Sequence, residues 1–138
     1  MLLPGKIMRF IFALTSILFA ITAQAQPSPP AQVECDEANQ ILIKACLTKL
    51  APQAIQDRKS AQTATRAMMK NLDRATGRPE AFAAFKQSTR TYEAYRQAHC
   101  AWIGKSFAGG SGAGIAELSC QIDLDHARAN ELSRFYVQ

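Results

Sequence analysis

Hydrophobic residues after residue 35 recur at alternating steps of three and four, which is typical of helices buried along one face. No run alternates between apolar and polar residues for long enough to indicate a strand. The clearest stripe lies on residues 80–103, where Tyr95 and Trp102 are expected to widen it. The pattern therefore predicts an all-α fold. The stripe consists of Phe82, Phe85, Thr89, Tyr92, Arg96, His99 and Ile103.

Proline and glycine positions divide this region into about four predicted helices. The first begins at Asp36 or Asn39 and ends near Leu50, because the residue before Pro52 is pushed out of helical geometry. The second covers residues 53–75, and the third follows Gly77 and Pro79, which suit a helix end and a helix start. The last covers residues 115–136. Inward positions expected on these helices include Leu42, Ala45, Cys46, Leu50, Ile55, Ala61, Thr65, Leu72, Ile115, Ile122, Ala129, Leu132 and Phe135.

The amino terminus has the pattern of a secretory signal peptide over residues 1–25. Lys6 and Arg9 precede an apolar run over residues 10–21, and Ala23-Gln24-Ala25 fits a cleavage site. A retained anchor is the alternative, but the run is shorter than the about 20 residues that span a bilayer. We expect a periplasmic or secreted protein whose only membrane contact is through the uncleaved signal peptide.

Cleavage near Ala25 leaves 113 of the 138 residues, enough for one small domain. Two basic and no acidic residues are removed, so the formal net charge falls from +5 to +3. Residues 26–34 are proline-rich and are expected to form an extended leader without helix. The helical domain is then predicted over residues 35–138.

Four cysteines, an even number in a small exported chain, indicate disulfides rather than a zinc site, because none forms a close pair. A hairpin of the last two helices favours a Cys100–Cys120 bridge, which leaves Cys35 with Cys46. Eleven residues along one helix span about 16 Å, whereas bridged Cα atoms lie within about 7 Å. The second pair therefore requires a fold-back after Cys35. The alternative is that Cys35 or Cys46 crosses to the hairpin.

Residue types for catalysis are sparse. The two histidines, His99 and His126, lie in no hydrolase or metalloprotease motif. Disulfide formation would also leave no thiolate nucleophile. We expect a protein that is not an enzyme and has no catalytic residues, metal site or cofactor.

Two sets of charged residues have other expected roles. Arg96 falls on an inward stripe, where its guanidinium needs acceptors. We therefore predict a structural polar clamp beneath the glycine-rich loop, formed by Arg96, Asp123, Asp125 and Arg128, and an arginine that contacts a ligand is the alternative. A ridge of Arg66, Lys70 and Arg74 along the second helix is a candidate anion-binding face, and a solvated helix face is the alternative. Export and the modest charge argue against a nucleic-acid partner.

Several of these features occur together in a known order. Cys35 and Cys46 come first, then Tyr95-Arg96-x-x-x-Cys100, then Gly109-Gly110-Ser111, then Cys120 and Arg128. In this order the chain resembles the secreted family of the N-terminal domain of the lysozyme inhibitor LprI. It departs from the family pattern at Thr89 and Tyr92, where Gln and Trp are usual, and at Asp125, where Thr is usual.

The resemblance implies an exported, non-enzymatic binding protein, with lysozyme inhibition as the activity of one branch of the family. Its partner would be a lysozyme-type muramidase or another envelope protein. The candidate binding loop, which would enter a glycan cleft, contains Phe107, Gly109, Gly110, Ser111 and Gly112. A charge of +3 opposes association with strongly basic animal lysozymes. The alternative is an envelope interaction or structural module that binds a protein or an anionic surface through its basic helix face.

Overall fold

A computed structural model describes residues 30–136, and over this range the chain is all-α, as predicted. The four helices are α1 (Ala31–Glu34), α2 (Gln40–Thr76), α3 (Ala81–Lys105) and α4 (Ala113–Ser133), followed by a short 3-10 turn, Arg134–Tyr136. The predicted signal peptide, and the leader up to residue 29, lie outside the described residues. Among the described helices, none combines the length and apolar character needed to span a membrane.

The first two predicted helices are one continuous helix, so the expected break at Pro52 is wrong. Asn39 caps the start of α2 by accepting hydrogen bonds from the N–H groups of Ile41 and Leu42, and the helix ends at Gly77, where φ is 68°. Pro52 lies inside this 37-residue helix. Its exposed ring sits between turns that are held by the buried side chains of Leu47 and Ala54. Tertiary packing on both sides therefore overrides the local cost of the proline.

The leader prediction is wrong at its carboxyl end, because residues 31–34 form α1. Ala31 is completely buried and belongs to the core. Its backbone N–H donates a hydrogen bond of 2.7 Å to Asp123 Oδ1 on α4. This contact fixes the entry of the chain into the bundle. The packed domain consequently begins before Cys35, which sequence composition alone did not indicate.

Both neighbouring cysteine pairs are bridged, as predicted. The Cα atoms lie 5.7 Å apart in Cys35–Cys46 and 5.5 Å apart in Cys100–Cys120. The fold-back needed for the first bridge is present, because α2 begins only at Gln40 and Cys46 lies within its first two turns. The second bridge joins the end of α3 to the start of α4. Each bridge contributes roughly 3 kcal/mol by restricting the unfolded chain.

The core consists of two apolar clusters separated by a layer of buried charge. The larger cluster joins α1 to the first halves of α2 and α4 and contains the side chains of Ala31, Cys35, Leu47, Ala54, Ile115 and Ile122. The smaller cluster contains Ala61, Ala129 and Leu132, with Phe85 of α3 packed against it. Arg58 and Asp125 are buried between the two clusters.

Several positions expected inside are exposed instead. Tyr95, Trp102 and Phe135 are large apolar side chains that face solvent, and so are Leu42 and Leu72, each with 46% of its surface accessible. Ala45 is exposed as well. Three long helices packed side by side bury only one narrow stripe on each. An aromatic residue at the edge of a stripe therefore stays outside.

Candidate functional site

The glycine loop between α3 and α4 has a defined backbone path. Because α3 continues to Lys105 and α4 begins at Ala113, the loop covers residues 106–112. Successive turns are closed by hydrogen bonds from Phe107 N–H to the Gly104 carbonyl and from Gly110 N–H to the Phe107 carbonyl, 3.2 and 2.9 Å long. Ala108 and Gly109 both have positive φ, 50° and 79°. The loop is therefore a chain of tight turns.

Gly104 lies inside α3, where α4 passes closely. A Cβ atom at this position would meet Glu117 Cβ at 3.1 Å and the Ala113 carbonyl at 3.3 Å. A larger residue would require Glu117 or the backbone at Ala113 to move by a few tenths of an ångström. With the Cys100–Cys120 bridge one turn away, the close contact holds both ends of the glycine loop.

The loop presents Phe107 and small residues to solvent. Phe107 has 50% of its surface accessible, and Gly109, Gly110 and Ser111 are exposed too. The Phe107 ring packs against Gly112, 3.3 Å from the point that a Cβ atom would occupy there. An aromatic side chain beside glycines combines contact area with close backbone access. The role of these residues in binding stays a prediction.

The loop also borders the first turns of α2, which the sequence did not indicate. A groove of about 590 Å³ runs between them, with Ser111 on one side and Ile41 and Lys44 on the other. The loop thus shares a surface with the disulfide-closed segment between Cys35 and Cys46. The full lining is Gln40, Ile41, Lys44, Ala45, Thr48, Lys49, Ser111 and Ile115.

An ion cluster of Arg58, Glu93, Arg96 and Asp125 lies in the middle of the bundle, with Glu93 at its solvent-exposed edge. Arg96 holds Asp125 with two nitrogens, Nε at 2.7 Å from Oδ1 and Nη2 at 2.7 Å from Oδ2. Arg58 Nε lies 2.6 Å from the same Oδ1, and its Nη1 pairs with Glu93. Asp125 is completely buried. Two arginines and two carboxylates balance in charge, which offsets the cost of desolvation.

The other two residues of the predicted clamp lie elsewhere. Asp123 accepts the hydrogen bond from Ala31. Arg128 donates to Glu131 at 2.7 Å and Ser88 at 3.1 Å. The cluster is also not beneath the glycine loop, because Asp125 is twelve residues, roughly 18 Å, along α4 from Ala113. Antiparallel packing sets Arg96 against this middle part of α4 instead of its start.

Tyr92 adds a neutral hydroxyl to the ion cluster. Its Oη donates a hydrogen bond of 2.6 Å to the Leu124 carbonyl, and the guanidinium of Arg128 lies 5.1 Å from its ring centre. Burial, and then the negative charge of Asp125, raises the pKa of Tyr92 to about 12. Both effects disfavour the phenolate. Tyr92 therefore stays protonated wherever the fold is stable.

Sequence reasoning missed Arg58, the arginine most deeply involved in the cluster. The buried residues on this part of α2 include Ala54, Arg58, Ala61 and Thr65, at steps of four, three and four, and Gln62 is buried beside them. A stripe drawn through the small residues would have placed Arg58 inside. The expected stripe included Ile55, Ala61 and Thr65 but left out Arg58, which lies three residues from both Ile55 and Ala61.

The predicted basic ridge is exposed, but two of its members contact their own chain. Lys70 Nζ lies 5.0 Å from the ring centre of Phe82. Arg74 donates hydrogen bonds to the Lys70 carbonyl and to Asn71. Arg66 is exposed beside them. Anion binding by Arg66, Lys70 and Arg74 stays a prediction.

The chain matches the model of a known family. The model of the family described as lysozyme inhibitor LprI covers residues 34–132, well over half of the chain. The matched region contains both disulfides, the ion cluster and the glycine loop. No curated protein and no solved structure matches the chain significantly.

Proposed function

The chain belongs to the lysozyme inhibitor LprI family, and from this premise we propose that it is an exported protein that binds and inhibits a lysozyme-type muramidase. The observation that carries the proposal is the family match over nearly all of the described residues. Two disulfides agree with an oxidising compartment outside the cytosol. The signal-peptide pattern of residues 1–25 agrees with export as well.

Such an inhibitor needs only to fill the substrate cleft of the enzyme and does not need to catalyse a reaction. A muramidase cleaves glycan between two carboxylic acid side chains in an open cleft. A narrow projection that reaches them blocks the substrate without any reaction. The glycine loop suits this task, because Gly109 and Gly110 carry no side chain and Ser111 offers a hydroxyl to a carboxylate. Phe107 would pack against the wall of the cleft.

A loop with a fixed backbone loses less conformational entropy on binding than a flexible one. Ordering a flexible loop on binding costs free energy, and this cost reduces affinity. The turn hydrogen bonds of residues 106–112 and the nearby Cys100–Cys120 bridge reduce the number of free conformations before binding. The loop therefore needs little further ordering when it meets a partner.

The proposal is tested by substituting Phe107. The oxidised, exported protein is titrated into lysozyme-type muramidases of several classes, and the clearing of a cell-wall suspension gives the inhibition constant. We expect Phe107→Ala to weaken inhibition about tenfold or more, as for an aromatic residue central to an interface.

Phe135→Ala is the matched control, because Phe135 is 49% exposed against 50% for Phe107 and lies at the end of α4 remote from the loop. It should inhibit like the unmodified protein. If no muramidase is inhibited by a stoichiometric excess of the unmodified protein, the proposed function is wrong. If both variants inhibit equally, the loop is not the inhibitory element.

A further inference from the structure

The start of α2 carries apolar side chains that the fold leaves uncovered. Ile41 has 81% of its surface accessible and Leu42 has 46%. Ala45, one turn further, is exposed too. Neighbouring apolar residues on an exposed face are typical of a protein contact.

Two grooves flank these residues and join them to charged and polar neighbours. On one side Leu42 and Ala45 line a groove of about 440 Å³ with Glu34 and Glu37. On the other side Ile41 and Ala45 line the groove that reaches Ser111 of the glycine loop. We call the surface formed by Glu34, Glu37, Ile41, Leu42 and Ala45 the docking surface. It is continuous with the candidate inhibitory loop.

The charge of the docking surface is opposite to that of the whole chain. Glu34, Asp36 and Glu37 are all exposed, and residues 34–43 contain no basic residue. Lys44 and Lys49 follow on α2 and border the grooves. The chain as a whole has a formal charge of +5. Local carboxylates next to apolar side chains fit a partner that presents cationic groups around an apolar contact.

The Cys35–Cys46 bridge holds this segment in place. Both sulfurs are packed in or against the larger core cluster, and the residues between them include Glu37, Ile41 and Leu42. A closed segment loses few conformations when it binds, so its contacts contribute to affinity with little entropic cost.

We propose that the docking surface binds the muramidase directly and that the partner is a basic one. This inference rests on the proposed function and adds the contact surface and the charge class of the target. Carboxylates at the contact accelerate encounter with a basic enzyme even though the net charge of the inhibitor is positive. The glycine loop, which lies across the Ile41 groove, is then carried to the cleft.

The test compares variants in a binding assay that is independent of inhibition. Surface-immobilised oxidised protein is exposed to a basic animal lysozyme and to an acidic muramidase, and rate constants are measured at two salt concentrations. We expect Leu42→Ala to weaken binding of the basic enzyme about tenfold. Leu72→Ala, with the same 46% exposure at the far end of α2, should not. The double variant Glu34→Gln/Glu37→Gln should slow association several-fold at low salt, whereas Glu80→Gln should not.

Each outcome decides between the two proposals. If Leu42→Ala and the double glutamate variant bind like the unmodified protein, the docking surface is wrong while the inhibitory function stands. Binding only to the acidic muramidase overturns the charge class. Binding of the basic enzyme without inhibition supports the docking surface and removes the proposed function. Absence of binding to the basic lysozyme overturns this inference, and the inhibition titration then judges the proposed function separately.

Discussion

Asp125 shares its carboxylate between two guanidinium groups, and it is the most constrained charged residue in the described chain. Arg96 binds both of its oxygens, and Arg58 approaches one of them from α2. Removing one partner from a buried pair leaves a charge without compensation, which costs more than the pair itself contributes. The ion cluster thus ties together α2 through Arg58, α3 through Glu93 and Arg96, and α4 through Asp125.

Substitution of Arg96 tests whether the cluster is structural. Arg96→Ala leaves Asp125 with one guanidinium, so we expect a loss of about 2 kcal/mol and a lower melting temperature by about 10 °C. Arg90→Ala, an exposed arginine on the same helix, should change stability by less than about 0.5 kcal/mol. Thermal unfolding followed by circular dichroism measures both. Equal melting temperatures for the two variants would contradict a structural clamp.

The hydroxyl of Tyr92 is expected to make the stability of the folded protein decrease at alkaline pH. Its pKa is about 12 in the folded chain and about 10 in an unfolded one. Between these values the unfolded chain loses the proton first, so stability present below pH 10 falls as pH rises towards 12. We expect the melting temperature of Tyr92→Phe to fall less over this interval than that of the unmodified protein. Tyr95→Phe, at an exposed position, serves as the control. Parallel pH profiles for all three proteins would refute the assignment.

Helix α2 is continuous although its sequence contains Pro52. At 37 residues it spans about 55 Å, and both apolar clusters and the ion cluster pack against it. Pro52 cannot donate the hydrogen bond that a helix expects at this position, and its ring crowds the preceding turn. The side chains of Leu47, Ala54 and Arg58 fix the helix on both sides of the proline. Packing along the whole length therefore decides the continuity of α2.

Replacing Pro52 should stabilise the protein. Pro52→Ala restores the missing backbone hydrogen bond and loses no packing, because the ring is exposed. A proline inside a helix costs about 3 kcal/mol, and greater freedom of the unfolded chain offsets about 1 kcal/mol. We expect a gain of about 1–2 kcal/mol in the free energy of unfolding, measured with denaturant. Pro79→Ala, in the turn before α3, should give no gain. A loss in both variants would show that Pro52 fits the helix without strain.

At the scale of the whole molecule, the packed interior stabilises the bundle, and the candidate binding residues lie together at one end. The apolar clusters and the ion cluster occupy the interior, whereas the two disulfides lie at the end that carries the glycine loop and the start of α2. That end also has the exposed Ile41, Leu42 and Phe107. The two bridges and the larger apolar cluster hold this end of the bundle together. The two proposals on binding concern this same end of the bundle.

The amino-acid sequence by itself determined the helical class, the position of the glycine loop and the family, and it favoured the neighbouring disulfide pairs. These features depend on local properties: hydrophobic period, cysteine spacing and the conformational freedom of glycine. The inward position of Arg96 also followed from its stripe. The expected acceptors for its guanidinium were Asp123 or Asp125 on the facing helix, or backbone carbonyls of the glycine loop.

Only the tertiary structure decided which helix faces are covered. Whether Tyr95, Trp102 and Leu42 are buried depends on how many helices pack around them. The hydrophobic pattern of the sequence does not show how many helices surround a given position. The continuity of α2 through Pro52 and the burial of Arg58 depend on contacts with α4, which is distant in sequence. The groove between Ile41 and Ser111 exists because the fold brings together residues seventy positions apart.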